Sequence, residues 1–378
     1  MMRVRLTSVF FATVTATALF SNASWAIDAN AVAKALGMSF AQGREDAVSF
    51  AEAFERGGQV VIKDLSVGLP EGAGTAKFTE TVLDAPVENG DGTIQAASVT
   101  VTDGTIAGDD VNGAVSSAVM TDVTILTADI IKAGNLDQGI LYRTAAITGF
   151  RVIPDDEFGE ITIEKVEMET GNVVDYQAQA SRGTVTGLRI PAQNAPPGPM
   201  SPQALGYEEI ILDANWDGAR DPDSQVATIE TFAITLRNGG SLSISGALGN
   251  VPAVRPKEPQ ESMMLLSQLT VQSLRLHYSD NSLAGKILEA AAVKQGTTRE
   301  LYAQQLAGAL PFFLSMIQNP EFQNKVAAAV GQFLTDPKSL TISVQPERPI
   351  SGAELLGLVQ TAPQTLPDVL GASIEANN

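Results

Sequence analysis

From Val48 to Leu248, apolar residues return at alternate positions in one short run after another, and Gly, Asn and Asp separate the runs. No other feature constrains the fold as strongly. Successive side chains of a strand point to opposite faces, so a chain patterned this way must hide one face of a pleated surface. The runs are Gln59 to Val67, a Thr/Val alternation through Val99 and Val101, Val119 to Ile125, Ala145 to Ile153 and Ile161 to Met168, followed by Gln177 to Ile190, Glu209 to Asn215, Val226 to Leu236 and Leu242 to Leu248. Asn89-Gly90, Asp91-Gly92, Asp103-Gly104, Gly171-Asn172 and Asn238-Gly239-Gly240 supply turn chemistry between them. Val48 to Phe54 has both helix-forming residues and strand alternation, and Gly57-Gly58 predicts a hairpin joining it to the run after it. With about 8–15 residues between runs and no helical pattern intervening, antiparallel meanders are expected rather than βαβ units.

The pattern changes after residue 280. Asp280 or Ser282 can cap a helix to about Lys294, and Thr297 with Glu300 forms a capping box for the next. In that helix Leu306, Leu310, Phe313 and Ile317 recur at helical spacing, with a kink expected at Pro311. Asn319-Pro320 reads as N-cap and first residue of a third helix. Leu340, Ile342 and Val344 alternate in a returning strand, and Ser351 with Glu354 caps a short helix. Asp28 to Leu36 predicts a short N-terminal helix, and Pro363 to Leu370 a last one.

The expected fold is α+β and β-dominated: an elongated, mainly antiparallel twisted sheet or β-groove with a C-terminal helical subdomain. Its expected divisions are a signal peptide (1–26), an N-terminal β-rich region (27–190), a Pro-rich connector (191–202), a second β-rich region (203–280), a helical subdomain (281–336), and a returning strand with terminal helices (337–378). Pro191, Pro196, Pro197, Pro199 and Pro202 predict an extended connector, and Val251 to Pro259 a second linker. There is also a weak internal echo. Ile147-Thr148-Gly149-Phe150-Arg151-Val152 resembles Val185-Thr186-Gly187-Leu188-Arg189-Ile190, 38 residues on.

Arg3 and Arg5, an uncharged apolar stretch from Leu6 to Phe20, and Ser24-Trp25-Ala26 have the layout of a cleaved secretory signal. The stretch is shorter than the ~20 residues a bilayer span needs. The chain has no cysteine, which removes thiol catalysis, zinc-thiolate sites and iron–sulfur clusters, and for an exported protein favours a bacterial envelope. Without residues 1–26, 22 basic residues face 43 acidic ones, for a formal charge of −21. Such a surface repels nucleic acid and anionic lipid. Localisation in a bacterial periplasm is expected, with no nucleic-acid partner and no transmembrane span after signal cleavage.

Few residues point to chemistry. His277 is the only histidine, so histidine-based zinc sites are out for a single chain. No nucleophile elbow accompanies it, and a strand residue is the expected role. Asp213, Asn215 and Asp217 fall at positions 1, 3 and 5 of a calcium-loop pattern, with Gly218 at 6 and Asp221 at 9. Ser224 stands where a bidentate Glu belongs, so Asp223 would have to substitute. The alternative is an acidic turn between strands. Gly72 to Lys77 is a glycine-rich turn without the phosphate-loop ending, and Asp155-Asp156-Glu157 lacks an identifiable carboxylate partner. Calcium is therefore the one cofactor carried forward. Leu306, Leu310, Phe313, Leu314, Ile317 and Phe322 are the candidate apolar face of the helices, for packing or for a ligand or partner.

Gly240 to Val251, Leu274-Arg275-Leu276-His277-Tyr278-Ser279-Asp280-Asn281-Ser282-Leu283, Phe333 to Ile342 and Pro346-Glu347-Arg348-Pro349 together resemble a group of uncharacterised exported proteobacterial proteins. Their strand texture is similar to that of envelope proteins of the AsmA type. The likeness spans about residues 205–350. It implies a periplasmic, elongated sheet with an apolar face that handles lipid or envelope components, and it carries no catalytic residues. The leading expectation is a non-enzymatic periplasmic protein binding or scaffolding apolar, lipid or envelope material along its sheet. A carboxylate-based hydrolase and a calcium-dependent structural or adhesive β protein are the alternatives.

Overall fold

Gly57 and Gly58 both take positive φ, 60° and 81°, and close the first hairpin as a two-residue turn of the kind that matches strand twist. The computed structural model describes residues 27–378 apart from 70–73, 109–110, 135, 137, 155–158 and 254–258. The signal-peptide reading of 1–26 and the acidic triplet at 155–157 lie outside the described residues.

In chain order the elements are α1 (Ala29–Phe40), β1 (Val48–Ser49), β2 (Glu52–Arg56), β3 (Gln59–Gly68), β4 (Thr75–Asp84), β5 (Val87–Glu88), β6 (Ile94–Ala107) and β7 (Val111–Ile125). There follow α2 (Ala128–Ala133), β8 (Ile140–Leu141), β9 (Thr144–Pro154), β10 (Ile161–Val174), β11 (Gln177–Pro191), β12 (Glu209–Asp221), β13 (Val226–Leu236) and β14 (Gly240–Gly249). The remainder is α3 (Pro259–Gln268), β15 (Thr270–Asp280), α4 (Leu283–Lys294), α5 (Arg299–Leu314), α6 (Pro320–Thr335), β16 (Ser339–Val344), β17 (Ile350–Ser351), α7 (Gly352–Thr361), α8 (Leu366–Val369) and β18 (Ser373–Ala376).

All strands join one open sheet, and every pairing is antiparallel. From β3 to β15 each long strand pairs with the next long strand in the chain. The short strands β5 and β8 extend β6 and β7 at their sides. The chain crosses α4, α5 and α6 before β16 returns to β15, and β18 pairs with β16 beyond it. This is the expected β-dominated α+β architecture, with one antiparallel sheet and helices at its C-terminal end.

Several local expectations need correction. The Pro-rich stretch is a series of turns rather than an extended rod, with Ala192 buried and Gln203 donating to its carbonyl at 2.6 Å. The sheet is not interrupted there, since Ile190 pairs directly with Ile210. Lys77 lies within β4, not in a turn, and α2 and α3 are helices that the sequence pattern does not predict. The N-cap of α5 is Thr298, whose hydroxyl accepts from the Leu301 amide, so the cap sits one residue later than expected and Glu300 does not complete a capping box. Pro311 is accommodated inside α5, which continues to Leu314. A strand, β18, rather than the short helix, ends the fold. The caps at Asp28, Asn319 and Ser351 are where the sequence places them.

The main core lies under α1. Val32, Ala33 and Leu36 pack with Val60, Ile62, Leu65 and Val67 of β3, and the cluster extends through Leu83, Val99, Val123 and Ile125. At the other end of the sheet, α6 packs on β16 and β18, and Phe333 meets the Tyr278 ring edge-on at 5.9 Å. Among the described residues, no helix packs extensively on β9 to β14.

Candidate functional site

Residues directly opposite one another in a sheet share a face, so the register can be read straight across it. Starting from Val60 of β3, the opposed residues are Leu83, Val99, Met120, Ala145 and Met168. The same row continues through Gly183, Trp216, Phe232, Ile244, Leu276, Ile342 and Ile374. Two residues along each strand lies a second row on the same face, including Val101, Ala118, Ile147, Val166 and Val185, then Ala214, Ile234, Leu242, Tyr278 and Leu340. Apart from Gly183 and Thr81 both rows are apolar, with Tyr278 the one member carrying a hydroxyl, and they run across the sheet from β3 to β16.

The opposite face reads differently. Its corresponding row is Glu167, Thr184, Asn215, Ala233, Ser243, His277, Thr341 and Glu375. Thus from β10 onward the sheet is apolar on one side and polar on the other.

The α1 end of the apolar face is covered, its middle is not, and at the α6 end Ile342 stays 38% exposed. Val60, Ile62 and Leu83 beneath α1 are 0% exposed, whereas Phe232 is 41%, Ile234 38% and Leu242 41% exposed. Gly183 leaves room for the Trp216 ring. A Cβ there would lie 2.4 Å from Trp216 Cζ2, and the indole Nε1 donates to Ser181 Oγ at 3.0 Å.

A line of irregular residues crosses the strands and explains the internal echo. Asp64, Asp103, Gly149 and Gly187 have φ of 51°, 50°, 63° and 65° and lie on β3, β6, β9 and β11. Thr79, Ser116 and Glu164 occupy the strands between them, at places where the regular pairing skips. Crossing this line shifts the apolar phase by one residue. On β3 the core residues are Val60 and Ile62 before it, then Leu65 and Val67 after it. The left-handed backbone needs Gly, or the Asp that tolerates it. Thr148-Gly149 and Thr186-Gly187 are therefore equivalent bends on strands flanking β10.

At its C-terminal end the line meets a charged anchor. The Gly187 amide donates to Asp213 Oδ1 at 2.8 Å, and Arg237 holds the same carboxylate through two bonds of 2.7 Å. The Arg237 hydrogen bond, then the Gly187 amide, hold the Asp213 carboxyl below its ordinary range despite partial burial.

The five residues of the calcium pattern do not form one loop. Asp213, Asn215, Asp217 and Asp221 lie along β12, with a register shift after Asp217, and only Asp223 falls in the turn to β13. At about 3.3 Å per residue, Asp213 and Asp221 are roughly 26 Å apart. Asp213 is engaged by Arg237, and Asp221 Oδ1 accepts from the Asp223 and Ser224 amides, which lower its pKa. Among the described residues, no three His, Cys, Asp or Glu side chains gather to hold a metal. The expected loop is thus corrected to a strand and an Asx-type turn, because the alternation of β12 outweighs the loop spacing. His277 sits on the polar face with Nδ1 2.8 Å from Thr341 Oγ1.

Of the helical candidates, Leu306, Leu310, Leu314, Ile317 and Phe322 are half-buried where α5 meets α6. Phe313 is instead 64% exposed and stacks edge-on with Phe312, centroids 5.8 Å apart. The sequence reading thus expected an apolar sheet face but named apolar-face residues only on the helices, and the rows on the sheet are the larger part. A usable signal was present. Apolar residues spaced two, three and two recur as Ile161, Ile163, Val166 and Met168, and as Ala145, Ile147, Phe150 and Val152.

Among the described residues, no helix is long and apolar enough to cross a membrane. No curated protein matches the chain. Residues 233–377, fewer than half of the chain, match the model of a family described only as uncharacterised protein, which agrees with the C-terminal resemblance as far as an uncharacterised family goes.

Proposed function

We propose that this is an exported, periplasmic, non-enzymatic protein that binds the hydrocarbon part of lipid or other apolar envelope material along the apolar face of its sheet. One observation carries the reading: beyond the end covered by α1, the apolar rows cross β9 to β14 with no helix packed extensively on them among the described residues. Contiguous exposed apolar surface is costly in water and marks a binding face when it is large. Each Å² a ligand covers contributes about 25 cal/mol. The AsmA-like strand texture and the signal-like leader support the same reading.

The test is organic extraction and mass spectrometry of the full-length protein purified from a bacterial envelope, alongside titration with an environment-sensitive apolar dye. Co-purified lipid and saturable dye binding are expected. Lipid-free protein that also fails to bind dye would sink the proposal.

A further inference from the structure

We propose that the helix pair α3 and α7 docks the protein on the surface of a zwitterionic lipid bilayer. This rests on the apolar-face reading above and names the surface from which that face would take its ligand. Met263, Met264 and Leu266 on α3 and Leu356 and Val359 on α7 are 54–67% exposed. Leu356 and Val359 stand three residues apart, as Met263 and Leu266 do, so each pair shares one side of its helix. The two helices are in contact. Gly352, the first residue of α7, allows the approach, because a Cβ there would collide with the Leu266 carbonyl. Exposed apolar residues scattered singly are ordinary, but five on two touching helices form a patch.

The patch adjoins the apolar face of the sheet. α3 leads through Leu269 into β15, and the Gly352 amide donates to the Leu269 carbonyl at 2.9 Å. Just inside that junction Val271 stands between Leu248 of β14 and Ile350 of β17. Leu248 lies on the same side of β14 as Leu242 and Ile244, so these three residues continue the apolar face. Ile350 is buried, whereas Leu242 and Leu274 on the way to it are exposed. Apolar surface thus runs from the open part of the sheet to the root of the helix pair.

Charge selects the kind of surface. The sequences of the two helices contain two charged residues, Glu261 and Glu354, and Arg348 pairs with Glu354 at 2.5 Å. Neither helix carries a cation to attract an anionic leaflet, and the formal charge of −19 on the chain opposes one. Docking then depends on apolar side chains entering the interface of a bilayer without net charge. Met263 and Met264 suit a fluid surface, because their unbranched side chains adapt to irregular neighbours.

The experiment is co-flotation of the full chain with phosphatidylcholine vesicles and with vesicles that also contain phosphatidylglycerol. Apolar-dye titration and sedimentation velocity are run on the same protein. The variants are M264S/L266S and L356S/V359S, one pair on each helix, with F232S/I234S on the sheet for comparison. Flotation with phosphatidylcholine is expected, weaker when phosphatidylglycerol is present. Each helix pair of substitutions should weaken it about tenfold and leave dye affinity unchanged. F232S/I234S should do the reverse. Flotation that survives both helix variants, or that F232S/I234S abolishes, overturns the docking surface. So does stronger flotation with phosphatidylglycerol, or a dimer that the helix substitutions dissociate. No flotation together with saturable dye binding overturns the docking surface and leaves the apolar-face reading standing. Neither flotation nor dye binding overturns both.

Discussion

The same two rows of side chains behave differently at the two places where they can be compared. On β3 and β4 they lie beneath α1 and are fully buried, whereas on β13 and β14 they carry no helix, and Phe232, Ile234 and Leu242 stay 38–41% exposed. The alternation is equally clear in both regions. Alternation thus determines which side of a sheet is apolar, and a separate element determines whether that side becomes core or surface. In this chain α1 spans only part of the sheet, so the remainder is left as accessible apolar face.

Stability measured by urea denaturation can break this comparison. Leu36→Ala on the buried side of α1 should cost about 3 kcal/mol, because a fully buried leucine leaves a cavity. A loss below about 1 kcal/mol would mean that α1 is not part of the core. Gly149→Ala should cost about 1–3 kcal/mol, since φ is 63° and a Cβ would lie 2.3 Å from Ser116 Oγ. Gly171→Ala, where a Cβ meets nothing within 4 Å, is the control and should be tolerated. Thr81→Val should stabilise by about 0.5–1 kcal/mol, because the hydroxyl Oγ1 is buried without a partner in the covered region. On the open face, Phe232→Ser with Ile234→Ser should change stability by less than about 1 kcal/mol while reducing apolar-dye affinity severalfold. If those substitutions unfold the protein as Leu36→Ala does, the two regions are alike and the comparison fails.

The smallest effect concerns acid. The folded pKa of Asp213 is depressed, so its contribution is complete above the ordinary value of 3.8 and fades as pH falls through the lower, folded value. Asp213→Asn should therefore lower the melting temperature at neutral pH, and the gap to the unsubstituted chain should close below about pH 4. A gap unchanged by acid would show that Arg237 does not depend on this carboxylate.

The strands from Gln59 to Leu248 were legible because period-two patterning survives in a single sequence, and the caps at Asp28, Asn319 and Ser351 because a side chain meets a nearby amide. Two kinds of feature were not legible. Register is not a local property: Trp216 stands opposite Phe232 and Gly183 only once three strands have been aligned. The grouping of charge is not local either, because Lys286 and Asp336 line one cavity across 50 residues of chain. The calcium pattern misled for a related reason. Asp213, Asn215 and Asp217 have loop spacing, but two-residue steps on a strand put them in a line on the polar face.

From β3 to β15 each long strand takes the next one in the chain as its hydrogen-bonding partner, so the loops closed during folding are short and cheap in entropy. Such a molecule can be assembled like a fence, panel by panel, with each new panel fastened only to the last one standing. A chain delivered end-first through a narrow pore can then begin to fold before its tail has arrived. Only the final panels, β16, β17 and β18, must wait, because three helices have to be set down before they can close the row.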